Sequence, residues 1–566
     1  MTSSDEAPAI ATDERGFWAW FDTWCQRAGE YLNPILVKET RQAFKSRQFV
    51  ITFSLVLLCG WVWSVGGLVL TGALDGSSRG REMFAGYFFI LGFPLLVMVP
   101  FGAFRSLAAE WEDNTYELLS ISALKPHQIV SGKLGSSLLQ IVLYLSALAP
   151  CLAFTYLLRG IDLPTIVFLL FWMVVNSITV TLLGLCLATI SRARHWQVVY
   201  SVALIAGCLW NYGLFCGVLT EELVLRDRIA LYMVDPEFWV ANGIIFSAAV
   251  GYGALFFLIA RAALLFPSEN RSTALRICLV VQYLLFLAWA FWGWLFIDPD
   301  LEVLMSLGIV IGLHWWGAGA FLIGERPELS KRARRRLPQS FLGRMFWTTF
   351  NPGSGTGYLF VLGNLASAVI VLAAAPYALT ALAPTATPRI DRSPDLALYV
   401  MVFLGLGFCY VTIYLGIGRL IILAARRFTE VSVQLAMLVQ ILLVLVGTLG
   451  PMLLQAWFSD SRGYTILQIS NLFWTLEATF RARHTPFPEL PIVVTVLPFS
   501  ALVVLLLNVR SVGRELRQLL CAVRDEPGGE VRRRAARRRD HRLQPPRHHS
   551  VRRHRLGRSA PSGARA

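Results

Sequence analysis

A polar stretch between two long apolar segments brings together several side chains that could do chemistry. Residues 110–133 hold four carboxylates and end on a lysine: Glu110, Glu112, Asp113, Glu117 and Lys133. Charged groups are costly in hydrocarbon, so the stretch has to lie at or beyond a membrane surface. No HExxH motif occurs and no other catalytic constellation stands out in the chain, so the charges indicate no reaction of their own.

The order of residues within this stretch predicts local structure. Leu118, Leu119 and Ile121 follow the charged turn and give a short amphipathic face. Pro126 suits the first turn of a new helix, where its missing N–H costs nothing. We therefore expect a short helix along the membrane surface, a sharp turn, and re-entry into the membrane.

The spacing resembles the cytoplasmic loop of ABC-2 type transporter permeases. Seven residues fit that pattern: Thr115, Glu117, Leu118, Leu119, Ser122, Gly132 and Lys133. Asn114 replaces the usual glycine, which is a mild change because Asn also tolerates a left-handed backbone. Ala123 replaces the usual turn proline, with Pro126 close by. The alternative is an amphipathic loop in a membrane protein of another kind.

The resemblance implies a coupling helix that docks on a separate ATP-binding subunit. The docking face would comprise Glu110, Glu112, Tyr116, Glu117, Leu118 and Leu119. Pro126, Gly132 and Lys133 would set the turn and the re-entry. The family also implies export of a substrate and a second copy of the permease. The resemblance covers about residues 31–265.

A basic amphipathic segment precedes the first apolar run. In residues 31–47, apolar positions alternate with four cations: Lys38, Arg41, Lys45 and Arg47. This pattern is typical of a helix in the membrane interface, with its cations toward lipid phosphates. It corresponds to the elbow helix of the ABC-2 family, which the Asn33-Pro34-Ile35 start also resembles. A generic basic flank is the alternative.

The composition excludes an ordinary soluble protein, because 55% of the residues are hydrophobic and only 15% are charged. Runs of about 20 apolar residues can cross a bilayer, and twelve such runs predict an all-α, polytopic membrane protein. The predicted spans are 48–70, 83–107, 134–158, 163–190, 196–219, 239–264, 276–297, 301–323, 358–382, 396–424, 430–457 and 490–510.

Lysine and arginine in the loops predict the orientation. With the N-terminus inside, the inner segments carry about 22 basic residues without the tail and the outer loops carry about ten. Both termini and the 110–133 stretch are then cytoplasmic, and the membrane is the inner, or plasma, membrane.

Four regions follow from this pattern. They are an N-terminal segment (1–30), the permease-like region (31–265), a second six-helix region (266–510) and a tail (511–566). From Arg510 onward there are 17 Arg and 5 acidic residues, so most of the net charge of +15 lies in that tail. The Arg-rich composition of the tail predicts disorder. The tail could bind anionic lipid, or it could be a frame-shifted end of the gene. The basic charge is a property of this tail and does not extend over a domain, so it does not predict nucleic-acid binding.

The missing motifs limit the possible functions. No GxxxxGK[ST] occurs, so the chain is not predicted to be an enzyme, it needs no cofactor of its own, and ATP and Mg²⁺ would act through the partner subunit. The histidines are too scattered to predict a metal site. His314, within a span, is the one intramembrane ionisable group singled out, with a neighbouring carbonyl as its expected partner.

Other functions stay open at this point. The scarcity of acids inside the spans disfavours an ion-coupled carrier, which needs such groups to bind and relay ions. A membrane-embedded transferase would need acids at the membrane face, and the outer loops offer Glu221, Glu222 and Asp235 in no recognisable pattern. A scaffold in a membrane complex is the third alternative.

Overall fold

The computed structural model describes most of the chain, in thirteen pieces. These are residues 33–70, 80–113, 124–190, 193–226, 228–266, 269–296, 301–326, 340, 343, 347–382, 394–458, 463–482 and 488–521. Within these ranges every regular element is helical. Twelve of the described helices are long and apolar enough to cross a membrane, which confirms the predicted all-α, twelve-span architecture.

The first half contains one short amphipathic helix and six spans. In chain order they are α1 (Pro34–Lys45), α2 (Arg47–Leu70), α3 (Gly80–Glu112), α4 (Pro126–Leu157), α5 (Leu163–Ile190), α6 (Arg194–Leu219) and α7 (Pro236–Leu264). A π-helical turn, Thr220–Leu225, extends α6, and a single helical turn, Ile229–Tyr232, precedes α7.

In the described part of the second half there are six more spans, a short α-helix and a 3₁₀-helical turn, Ile466–Ser470. The α-helices are α8 (Thr273–Phe296), α9 (Leu301–Leu322), α10 (Ser354–Leu382), α11 (Pro394–Ala425), α12 (Val433–Phe458), the short α13 (Leu472–Arg481) and α14 (Leu490–Cys521). The predicted start of the tail at residue 511 falls inside α14, which continues for two to three further turns.

The spans are helical because their backbone groups must be satisfied within the segment, and they are apolar around most of their circumference. Large side chains accordingly face outward, as Trp61 does on α2 with 67% of its surface exposed. α1 differs, because its apolar residues lie on one face. The bundle thus has a lipid-compatible wall and one amphipathic helix beside it.

A π-helical turn interrupts α3 at Pro94–Met98, where a proline prevents the normal hydrogen-bond ladder. The hydroxyl of Ser177 on α5 donates to the carbonyl oxygen of Leu95 at 2.6 Å. This bond satisfies a backbone group inside the bundle and ties α3 to α5.

The buried core divides between the two halves of the chain. Two clusters of buried apolar residues lie within residues 35–264, and a third lies within residues 279–512. The halves meet where α7 packs on α8, and the side chain of Gln434 on α12 donates to the carbonyl oxygen of Ile190 at the end of α5.

Two buried arginines organise the second half near the ends of its spans. Arg419 on α11 donates to Glu515 on α14 at 2.7 Å and to Asn508 at 2.9 Å. Glu515 also accepts the Gly355 N–H at 2.6 Å, at the start of α10. Arg276 on α8 pairs with Glu325 at 2.6 Å.

His314 is therefore not the only ionisable residue of note within the predicted spans. Arg419 also lies inside one, and its charge is tolerated because Glu515 neutralises it. Sequence inspection missed this pair because Glu515 lies 96 residues away along the chain.

Replacing Arg419 with Met should destabilise the protein by about 3–5 kcal/mol, because it leaves the Glu515 carboxylate buried without its cation. Unfolding in mixed detergent micelles with increasing SDS measures this. Arg326→Met is the matched control, since Arg326 pairs with Glu430 on the surface and such pairs contribute at most about 1 kcal/mol. Equal losses in the two variants would contradict the assignment.

Candidate functional site

The first turn of α1 is fixed to the first turn of α4 by one asparagine. The Asn33 side-chain oxygen accepts the Ile35 N–H at 3.1 Å and caps α1, with Pro34 in the first helical position. Its amide nitrogen donates to the Gln128 carbonyl oxygen and, at 3.4 Å, to the Ser131 hydroxyl. One side chain therefore both starts α1 and anchors it to α4.

Gly132 provides the surface on which α1 rests. A Cβ atom at this position would lie 2.9 Å from Cβ and Cγ2 of Ile35 and 3.0 Å from the Asn33 amide nitrogen. Real Cβ atoms do not approach so closely without displacing a neighbour. The absence of a side chain at Gly132 thus lets the two helices touch.

Lys133, the next residue, is buried among opposite charges. Its ammonium lies 3.1 Å from carboxylate oxygens of both Glu39 on α1 and Glu110 on α3, and only 1% of the side chain is exposed. It also donates to the carbonyl and hydroxyl oxygens of Ser106 at 3.2 Å. Lys38, half exposed, lies 3.7 Å from Glu110. We call Lys38, Glu39, Glu110 and Lys133 the junction.

The junction is electrically balanced, with two cations and two anions. At an effective dielectric constant of about 20, each 3.1 Å contact contributes about 5 kcal/mol of attraction. That attraction offsets a desolvation cost of several kcal/mol for each ion. The four groups therefore hold α1, α3 and α4 together only while all of them stay in place.

Two ends of the predicted loop meet here. Glu110 and Lys133, the first and last residues of the 110–133 stretch, form one ion pair. Glu110 is therefore turned into the bundle, whereas Glu112, the last residue of α3, is exposed. Pro126 occupies the first position of α4, as predicted.

The middle of the predicted coupling helix lies outside the described residues. Tyr116, Glu117, Leu118 and Leu119, with the matching Thr115 and Ser122, belong to that part. Their docking role stays a prediction.

The basic residues of α1 divide into two groups. Arg41 and Lys45 on α1 are exposed, and so is Arg47, the first residue of α2; an interfacial helix requires such exposure of its cations. The Lys38 ammonium instead lies 3.9 Å from a carboxylate oxygen of Glu39 and 3.7 Å from one of Glu110.

A cavity of about 540 Å³, lined by both polar and apolar side chains, adjoins the junction. It reaches from Lys38 and Arg105 past Ser137 to Gln140 and Tyr144, between α1, α2, α3 and α4. The junction thus lies beside a cavity whose lining carries several polar groups.

Comparisons with family models, curated proteins and solved structures give no match. The resemblance to ABC-2 permeases therefore stays a prediction from the sequence.

Two members of the site were missed at the sequence level. Glu39 lies within the basic segment 31–47, where only the cations indicated a role, and Ser106 lies within a predicted span. A signal for Glu39 existed, because it follows Ile35 by four residues and shares its helical face. Ser106 gave none, because a serine within an apolar run usually bonds its own helix.

His314 has a different partner from the one expected. Its Nδ1 atom lies 3.0 Å from the hydroxyl of Tyr252 on α7. In the described part of the chain, no three His, Cys, Asp or Glu residues cluster closely enough to hold a metal ion.

Replacing Gly132 with Val should force α1 away from α4, because overpacking of this kind costs about 1–3 kcal/mol. Hydrogen–deuterium exchange of the α1 amides should then become about tenfold faster or more. Gly66→Val on α2 is the matched control, because a Cβ there meets no atom within 4 Å. Unchanged α1 exchange in Gly132→Val would show that the contact does not hold the helix.

Proposed function

We propose that this protein is the transmembrane permease subunit of an ATP-binding cassette transporter. A separate ATPase subunit would bind the 110–133 loop, hydrolyse ATP with Mg²⁺, and so drive export of a substrate across the inner membrane. The observation that carries the proposal is the ion pair between Glu110 and Lys133, which closes this loop at its base.

A loop closed in this way transmits movement to the membrane helices. Because its two ends are paired to each other, a displacement of the loop has to move α3 and α4 together. Glu39 extends the connection to α1 through Lys133. A partner that binds the loop differently in its nucleotide states would thereby shift the balance between two arrangements of the spans.

The distribution of buried charge supports an external source of energy. An ion-coupled carrier needs carboxylates or histidines that bind and release ions in the middle of the membrane. In the described spans, the buried carboxylates Glu110 and Glu515 instead lie near helix ends and pair with cations. In the same part of the chain, the histidine within α9, His314, has the Tyr252 hydroxyl and no carboxylate as its partner. The two ion pairs hold the helices together. The energy for transport would then come from a partner subunit.

The remaining parts of the proposal follow from the resemblance and from charge. The loop side faces the cytoplasm because the basic segments lie on that side. Arg41, Lys45 and Arg47, which are exposed, would contact lipid phosphates. A second permease copy would complete the assembly.

Charge reversal on the loop should abolish co-purification of the ATPase subunit. We expect the full-length protein, purified in mild detergent, to carry an ATP-binding subunit and to lose it in the double variant Glu112→Lys/Glu117→Lys, because attraction becomes repulsion. Mass spectrometry of the purified material measures this.

Glu237→Lys is the matched control, since Glu237 is also exposed. It lies in the first turn of α7, on the side of the membrane opposite to the 110–133 loop in the proposed orientation. The control variant should retain the subunit at the wild-type level. Wild-type protein that purifies alone, or a double variant that retains the subunit, would refute the proposal.

A further inference from the structure

A second cavity lies between the two halves of the chain. It has a volume of about 220 Å³ and is bounded by α7, α8 and α9, so neither half forms it alone. Its lining includes Gly251 and Tyr252 on α7, Gln282 and Trp289 on α8, and His314 on α9.

Three polar side chains around this cavity have unused hydrogen-bonding atoms. Among the described residues, neither amide atom of Gln282 has a partner, and the same is true of Trp289 Nε1 and His314 Nε2. All four atoms are buried from solvent. Unpaired buried polar groups are destabilising and rare in native proteins, and each one therefore requires an explanation.

The cavity lies deep in the membrane region and opens sideways. Gln282 is about 14 Å along the helix axis from the start of α8, at 1.5 Å per residue, which is near the middle of a hydrocarbon core of about 30 Å. On its rim, Tyr252 is 41% exposed and Val310 is 50% exposed on the outer wall of the bundle. A ligand would therefore enter from the bilayer.

The lining determines what kind of ligand fits. It contains no Asp, Glu, Lys or Arg, so a charged group would be stabilised by no countercharge. The Gln282 amide and Trp289 indole provide donors, and Gln282 also provides an acceptor. The cavity is smaller than the roughly 300 Å³ of typical drug-sized sites. This favours a ligand with a single hydrocarbon chain over one with a bulky ring system.

We propose that this cavity binds an uncharged, single-chain amphiphile from the bilayer, whose hydroxyl group bonds to Gln282 and Trp289. The second six-helix region then has a function of its own, because α8 and α9 supply the polar groups of the site. This inference does not depend on an ATPase partner, and its test requires no nucleotide.

Photolabelling tests the proposal directly. The full-length protein, in phosphatidylcholine vesicles, is irradiated with a diazirine derivative of hexadecanol or with the matching diazirine alkane, and labelled peptides are quantified by mass spectrometry. We expect the alcohol to label the cavity-facing parts of α7, α8 and α9 saturably, and unlabelled hexadecanol to compete. The alkane should label the outer wall without saturation.

Three variants distinguish binding in the cavity from a general effect of removing a buried polar group. Gln282→Leu should lower labelling of the cavity by the alcohol about three- to tenfold, the effect of one lost hydrogen-bonding group. Gly251→Leu should abolish it, because a Cβ there would already approach Gln282 to 3.2 Å. Gln440→Leu removes another buried glutamine amide with no partner among the described residues, but one outside the cavity, and should leave labelling unchanged.

Several results would overturn the proposal. The first is labelling by the alcohol that does not saturate in the wild type. The second is equal labelling of the cavity by the alkane and the alcohol. The third is an equal loss of alcohol labelling in Gln282→Leu and Gln440→Leu. The first of these needs no variant, so the test stays decisive even if a substitution prevents folding.

Discussion

A lysine ammonium buried between two carboxylates is the interaction on which the first half of this structure depends. Hydrocarbon does not tolerate an unpaired charge, so Lys133 has to be met by Glu39 and Glu110. That requirement brings α1, α3 and α4 to one point. It also pairs the first and last residues of the 110–133 loop, so this one charge pair determines how the loop is attached to the spans.

The second half obeys the same constraint with different residues. Arg276 and Arg419 are fully buried and each has an acidic partner, Glu325 and Glu515. Because successive spans alternate in direction, these pairs lie on the same side of the bundle as α1. Buried charge is thus concentrated near one face, and the middle of the bundle holds uncharged polar groups such as Gln282.

The spans were predictable because a bilayer imposes a length and a polarity on each of them. The placement of Gly132 and Lys133 near the start of α4 followed from local spacing. The pairing of Arg419 with Glu515 did not, because partners 96 residues apart leave no periodic signal in one sequence. The extension of α14 was missed for the same reason, since Glu515 resembles a tail residue until its partner is known.

We propose that the junction transmits movement of the 110–133 loop to the spans, and Lys133→Met is the variant that removes this transmission. ATP turnover of an ATPase subunit that co-purifies with the protein is compared alone, with the wild-type protein and with the variant, in lipid vesicles. We expect the variant to bind the subunit but no longer to alter its turnover, because α1, α3 and α4 are no longer held together. Turnover that changes with the variant as it does with the wild type would show that the junction transmits nothing.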